Sequence, residues 1–287
     1  MTDHQGAVHL GLVVVLAGAV WLYNVSWQKR LVLMVAVMPI LLTIIAGQRR
    51  SAFVALLVAF ALLAIILFLE HRTAFFLIVP PLAILGLAYI GVFWNSSNPL
   101  GGPAQAIKSV VAEDQADEHD RTSNEYRKIE NLNSRFTIHQ APLTGVGFGN
   151  KFFIVIPMAD ISGFIWWEYM THNSVVYIWI KSGVGGFLAL LWLVGQSIVL
   201  GVRATMRINI PFLKAIALTA TMYVIMHFIY AYVDISWEAQ GMVLLGVMLG
   251  LLNCIESILM VDSTTYKRRW PWQPEIKPPA PILPFPG

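Results

Sequence analysis

Charge is scarce in this chain. Only 12% of its 287 residues are charged, against roughly a quarter in an ordinary soluble domain. Hydrophobic residues make up 57% and the mean hydropathy is +0.67. That balance excludes a soluble domain and describes an integral membrane protein, of a length that suits a single helical bundle. Cysteine is nearly absent too. Cys254 is alone and lies in an apolar run, so no intramolecular disulfide can form and the thiol says nothing about compartment. Alternating apolar strands of about ten residues are missing, which argues against a β-barrel. There is no P-loop to bind ATP, and no Gly-x-Ser-x-Gly element of a serine hydrolase. The net charge of +3 gives no reason to expect a nucleic-acid partner.

What is present is apolar and helical. A spanning helix needs about 20 mostly apolar residues, and seven runs qualify, at 8–24, 31–47, 51–69, 74–94, 174–200, 211–233 and 239–260. The first has no basic segment before it and no small-residue cleavage site after it, so it reads as a span rather than a signal peptide. The chain divides into spans 1–4 (residues 1–94), a long loop (95–173), spans 5–7 (174–262) and a tail (263–287). The tail holds Pro271, Pro274, Pro278, Pro279, Pro281, Pro284 and Pro286, a density that forbids a helix.

Basic residues in short loops set the orientation. Lys29-Arg30, His71-Arg72, Arg203 to Lys214 and Lys267-Arg268-Arg269 share one side, which is then cytoplasmic. The long loop, with its acidic cluster of Glu113, Asp114, Asp117, Glu118 and Asp120, lies on the other. An odd number of spans puts the N-terminus outside, as suits the C-terminal part of a larger membrane protein.

Several polar features fall on the external side. Arg49-Arg50 sits in a very short turn against the charge rule. The pair either snorkels to lipid phosphates or holds an anion through its bidentate forks. Within the long loop, 95–121 looks irregular and 124–140 helical. Tyr126, Ile129, Leu132 and Phe136 form an apolar stripe, with Arg127, Asn131 and Arg135 roughly opposite. Those arginines offer either a solvated basic face or an anion site. Residues 142–149, PLTGVGFG, contain Gly-x-Gly-x-Gly without the strand and spacing of a dinucleotide fingerprint; the glycines supply a tight backbone path. The segment 152–170 is aromatic, with Phe164, Trp166, Trp167 and Tyr169 suited to a bilayer interface or to stacking on sugars.

Then comes His172-Asn173, at the start of an apolar helix that carries Gly183 and Gly186. Asn173 is placed to cap that helix, and the glycines allow close helix packing. His172 is either structural or a proton-transfer group, since imidazole exchanges protons near neutral pH. A metal site is not indicated, because His119 and His139 show no ligand spacing with His172. No cofactor is called for.

The ordered set of Arg50-Ser51 opening a span, Arg127 in Glu125-Tyr126-Arg127, the Gly-rich turn and His172-Asn173 with Gly183 and Gly186 resembles the C-terminal part of the O-antigen ligase and polymerase superfamily. The likeness covers roughly residues 40–255. It implies an all-α, GT-C-like membrane bundle in the bacterial inner membrane, incomplete at its N-terminus. It also implies a metal-independent glycosyltransferase acting at the periplasmic face. The donor would be a glycan on undecaprenyl diphosphate and the acceptor a lipid or glycan hydroxyl. The further partners would be membrane lipid and a missing N-terminal half. On this resemblance Arg50 and Arg127 bind the diphosphate, Arg49 and Arg135 help, Asn173 adds a substrate contact, and His172 orients or deprotonates the acceptor. The rivals are a polysaccharide polymerase of the same superfamily and a transporter or non-catalytic membrane protein on the same scaffold, since some relatives have been described as bicarbonate-uptake proteins. Of His227, Asp234 and Glu238, which lie at or near one span, only His227 is clearly inside it, and scarce midspan charge favours interfacial chemistry over transport.

Overall fold

The computed structural model describes residues 6–47, 50–96, 98–115, 118–159, 163, 166–237 and 239–260. Arg49, Phe164, Glu238 and the proline-rich tail lie outside the described residues. Among those described the protein is all-α. Its helices are α1 (Gly6–Leu22), α2 (Trp27–Gly47), α3 (Arg50–Glu70), α4 (Arg72–Phe93), α5 (Gly102–Val111), α6 (Glu118–Gln140), α7 (Ser174–Arg207), α8 (Pro211–Val233) and α9 (Ala239–Met260). A helix stands at each of the seven apolar runs. Five of them, α2, α3, α4, α7 and α8, are long and apolar enough to cross a membrane, while α1 and α9 carry shorter apolar stretches, Val8–Leu22 and Ala239–Ile255.

Helix α8 is the centre of the bundle. It packs on α1, α3, α7 and α9, and buries Ala215, Ala217, Ala220 and Ala231 with Tyr223 and Tyr230. Small residues let helix backbones approach where lipid offers no hydrophobic drive. Thr219 and Thr221 are buried on the same helix because their hydroxyls donate back to Ala215 O at 2.7 Å and Ala217 O at 2.7 Å. Where α7 crosses α8, a Cβ on Gly201 would overlap the Thr221 side chain. At the other extreme α4 buries none of its residues.

The two ends of the bundle differ. At one, Lys214 pairs with Glu70 at 3.4 Å and lies over the Tyr23 ring, and Lys29 lies over Phe212. So Lys29 and Lys214, two of the basic residues expected on one side, share it, while Lys267-Arg268-Arg269 lie outside the described residues. At the other end, the start of α3, the start of α7 and the end of α8 meet: Ser51 and Ser174 both donate to Asp234, at 2.9 and 3.0 Å.

Three local expectations are corrected. Residues 95–121 are not all irregular. A helix, α5, begins on Gly102-Pro103, where proline fits a first turn, and α6 starts at Glu118, six residues early, with Glu118 and Asp120 in its first turn facing the helix dipole. The buried face of α6 is only in part the apolar stripe, since Tyr126 alone of the stripe is buried. Leu132 and Phe136 are exposed, while Tyr126, Glu130, Asn133, Ser134 and Thr137 are buried. The reason is hydrogen bonding. The Asn133 amide accepts from the Val155 and Ile156 amides at 3.0 and 2.8 Å and donates to Ile156 O at 2.8 Å, and Thr137 Oγ1 accepts from Phe153 N at 2.9 Å. A non-helical segment must find partners for its backbone groups, and α6 supplies them from its polar stripe. Finally, Gly183 does not simply line a helix face. It has φ +68° and breaks α7, and the Gly-rich turn plugs the break. Val146 N donates to Ile180 O at 2.8 Å, Gly147 N to Lys181 O at 3.0 Å, and Val184 N to Pro142 O at 3.0 Å.

Candidate active site

The site assembles on α6, which lays its polar stripe across the ends of α3, α7 and α8. Arg127 and Glu130 are three residues apart and therefore neighbours on the helix surface.

Arg50 opens α3. Its Nε is 3.5 Å from Asp120 Oδ1 and its Nη1 donates to Asn124 Oδ1 at 3.2 Å. Arg127 and Asp234 also lie within electrostatic reach of it. Arg127 Nη2 is 3.8 Å from Asp234 Oδ2, while its buried Nε has no hydrogen-bond partner among the described residues. Asp234 is only 4% exposed. It is held by Ser51 Oγ at 2.9 Å and by the Ile235 amide at 2.9 Å. A buried carboxylate needs this degree of satisfaction. The patch therefore brings two guanidiniums together, each already opposed by a carboxylate, rather than two free cations.

His172 stands beside it. Its ring Nδ1 is 3.1 and 3.2 Å from the two carboxylate oxygens of Glu130, and Glu130 Oε2 also accepts from the His172 amide at 2.9 Å. Tyr126, one turn earlier on α6, meets the imidazole edge-on with ring centroids 5.6 Å apart. Burial, and then the charge of Glu130, push the Tyr126 phenol up, so it stays a protonated donor. Its hydroxyl has no partner among the described residues. Asn173 caps α7, its Oδ1 accepting from Val176 N at 3.0 Å. Ser174 ties the two halves together. Its hydroxyl donates to Asp234 O and accepts from Ser236 N at 2.8 Å, and its carbonyl accepts from Trp237 Nε1 at 2.5 Å.

Of the residues singled out in the sequence, Arg50, Arg127, His172 and Asn173 come to one end of the bundle. Arg135 does not join them. It is exposed two turns beyond Arg127, about 12 Å along the helix. Arg49 lies outside the described residues. Sequence reasoning missed Glu130, Tyr126, Asp234 and Ser174. The available signal for Glu130 was its spacing, one turn after Arg127; a single acid has no motif of its own.

The fold and this site define a multi-pass membrane protein with a polar patch of paired arginines, carboxylates and a histidine at one end of its helical bundle. A family model described as O-antigen ligase matches residues 34–191. That is more than half of the chain, and the chain belongs to the O-antigen ligase family. The matched region includes Arg50, α6, the Gly-rich turn and His172, and the family is one of glycosyltransferase-like membrane enzymes of ligase or polymerase type. A search of curated proteins finds none that matches.

Proposed function

We propose that this protein transfers a glycan from undecaprenyl diphosphate to an acceptor hydroxyl at the periplasmic face of the bacterial inner membrane, without a metal ion. The observation that carries the reading is the position of α6. One turn of it places Arg127 beside Arg50 and Asp234, and Glu130 on His172.

The acceptor oxygen attacks the anomeric carbon, a new C–O bond forms there, and the old C–O bond breaks with its electron pair leaving on the diphosphate. His172 takes the acceptor proton. The leaving group gathers negative charge and needs preorganised donors. Arg50 and Arg127 are suited to this because a guanidinium keeps its charge and presents a fork to phosphate. Their opposing carboxylates, Asp120 and Asp234, hold the forks in place before substrate arrives. The donor carries its own activation, which fits a sequence with no nucleotide-binding motif. Polymerases of the same family would run the same step on a growing glycan, so acceptor choice alone separates the two.

The test is direct. Full-length protein in lipid nanodiscs is mixed with a synthetic polyprenyl-diphosphate oligosaccharide and with either a lipid A-core or an oligosaccharide acceptor. Release of polyprenyl diphosphate with glycan appearing on one acceptor supports the reading. Neither product, with donor bound or unbound, overturns it.

A further inference from the structure

We propose that Glu130 is a positioning residue that fixes the tautomer of His172, keeping Nε2 free to accept a proton. The role rests on the transfer reaction proposed above, but the geometry can be tested apart from it.

One carboxylate grips His172 twice. It meets the ring at Nδ1, at 3.1 and 3.2 Å, and the backbone amide, at 2.9 Å. The carboxylate is 2% exposed while the imidazole is 23% exposed, so the anchor is inside and the ring faces outward from it. An ionised carboxylate only accepts hydrogen bonds. A neutral imidazole against it must therefore carry its proton on Nδ1. No described residue bonds Nε2, which is left as the acceptor. Tyr126 covers the ring edge-on, so rotation would cost both the contact and the hydrogen bonds. The arrangement is that of an oriented general base, in which a third group sets the direction and proton placement of the histidine. Nε2 can then take the acceptor proton as the glycosidic bond forms.

Glu130→Gln separates this role from a merely structural one. The glutamine oxygen can still accept from the His172 amide, so the loop keeps its anchor. Its NH₂ takes the place of Oε1, the nearer oxygen to Nδ1 at 3.1 Å, and can only donate, so the Nδ1–H ring loses its nearer acceptor and Nε2–H becomes the favoured form.

Full-length protein with ¹⁵N-labelled histidine in nanodiscs is examined by ¹⁵N NMR at about pH 8.5, where imidazoles are mostly neutral. The His172 signals are identified by their loss in His172→Gln. The expected result is an Nδ1–H ring in the wild type and an Nε2–H ring in Glu130→Gln. A wild-type ring carrying its proton on Nε2 overturns the proposal without any variant, and so does a tautomer that Glu130→Gln leaves unchanged.

In the transfer assay, Glu130→Gln should lower kcat by about a hundredfold or more with donor KM within about twofold. Wild-type kcat in a Glu130→Gln protein with an Nε2–H ring also overturns it. If Glu130→Gln does not fold, as judged by gel filtration, Glu130→Asp keeps a carboxylate acceptor. It should retain the Nδ1–H ring and more of the rate than His172→Gln does; loss of that ring form counts against the proposal. A wild-type protein that transfers nothing sinks the reaction reading, while the spectra still decide the role of Glu130.

Discussion

Gly145 and Gly183 interlock backbone to backbone: a Cβ on Gly145 would stand 2.6 Å from the Gly183 nitrogen. Both residues have positive φ, +67° and +68°, a region that costs a residue with a side chain about 1–3 kcal/mol. A Cβ on Gly183 would also overlap the Leu143 carbonyl. The turn thus enters the break in α7 only because neither residue has a side chain. The consequence reaches the site, since the first part of α7 carries the His172-Asn173 cap.

Gly183→Ala and Gly145→Ala should each lower the thermal unfolding temperature in detergent by several degrees and reduce transfer. Gly147→Ala, with φ +87° but only Asn150 nearby at 3.4 Å, should cost less. Gly149→Ala, with nothing within 4 Å, should behave as wild type. Equal melting temperatures across the four variants would rule out the interlock as a source of stability.

The ion pair of Arg127 with Asp234 raises a different question, because loss of Arg127 has two effects at once. Arg127→Ala removes the proposed diphosphate donor and also leaves a buried carboxylate short of a partner, which is destabilising. The cost is tempered here by a 3.8 Å separation and an Arg127 side chain that is 30% exposed. The double variant Arg127→Ala with Asp234→Asn removes the orphan charge. Arg127→Ala alone should be less thermostable and inactive; the double variant should regain thermostability and remain inactive. Recovery of transfer in the double variant would show that Arg127 serves only to neutralise Asp234.

These contacts also show what was legible beforehand. Apolar runs announce helices directly, so α1 to α4 and α7 to α9 fall where hydropathy puts them. Helix α6 was visible in part, but its buried face was not. Apolar spacing picked out Tyr126, Ile129, Leu132 and Phe136 as one face, of which only Tyr126 is buried, whereas Asn133 and Thr137 are inside because the segment at 153–156 brings unpaired backbone groups to them. Such partners are set by tertiary placement, and no local period encodes them. The same holds for Glu130 and Asp234, which lie 42 and 183 residues from the groups they bind, His172 and Ser51. Asn173 was legible as a cap because its partner, Val176 N, is three residues away.

The clamp itself can be tested. Asn133→Ala removes three hydrogen bonds to Val155 and Ile156, each worth about 0.5–1.5 kcal/mol net. Hydrogen exchange at the Val155 and Ile156 amides should speed up by at least about tenfold, with helices α8 and α9 unaffected. Unchanged exchange at both amides would mean that the segment is held by something other than α6.

Arg50 and Arg135 make a contrasting pair for the last prediction. Both are arginines expected near an anionic donor, but only Arg50 reaches the cluster, through Asp120 and Asn124. Asp120 is a competitor for that guanidinium as well as its support. The pair is partly exposed, and such pairs are worth about 0–1 kcal/mol, so its removal frees Arg50 at little structural cost. Asp120→Asn should therefore lower donor KM up to about fivefold at low salt, an advantage that fades as ionic strength rises. Arg50→Ala should raise donor KM at least about tenfold, the charge-assisted bonds lost being worth about 1.5–3 kcal/mol. Arg135→Ala should leave it within about twofold of wild type, since Arg135 stands two turns further along α6. A rise in KM for Asp120→Asn would mean that the carboxylate is needed to aim Arg50, and a large effect at Arg135 would place the diphosphate further along α6 than the Arg50–Arg127 patch.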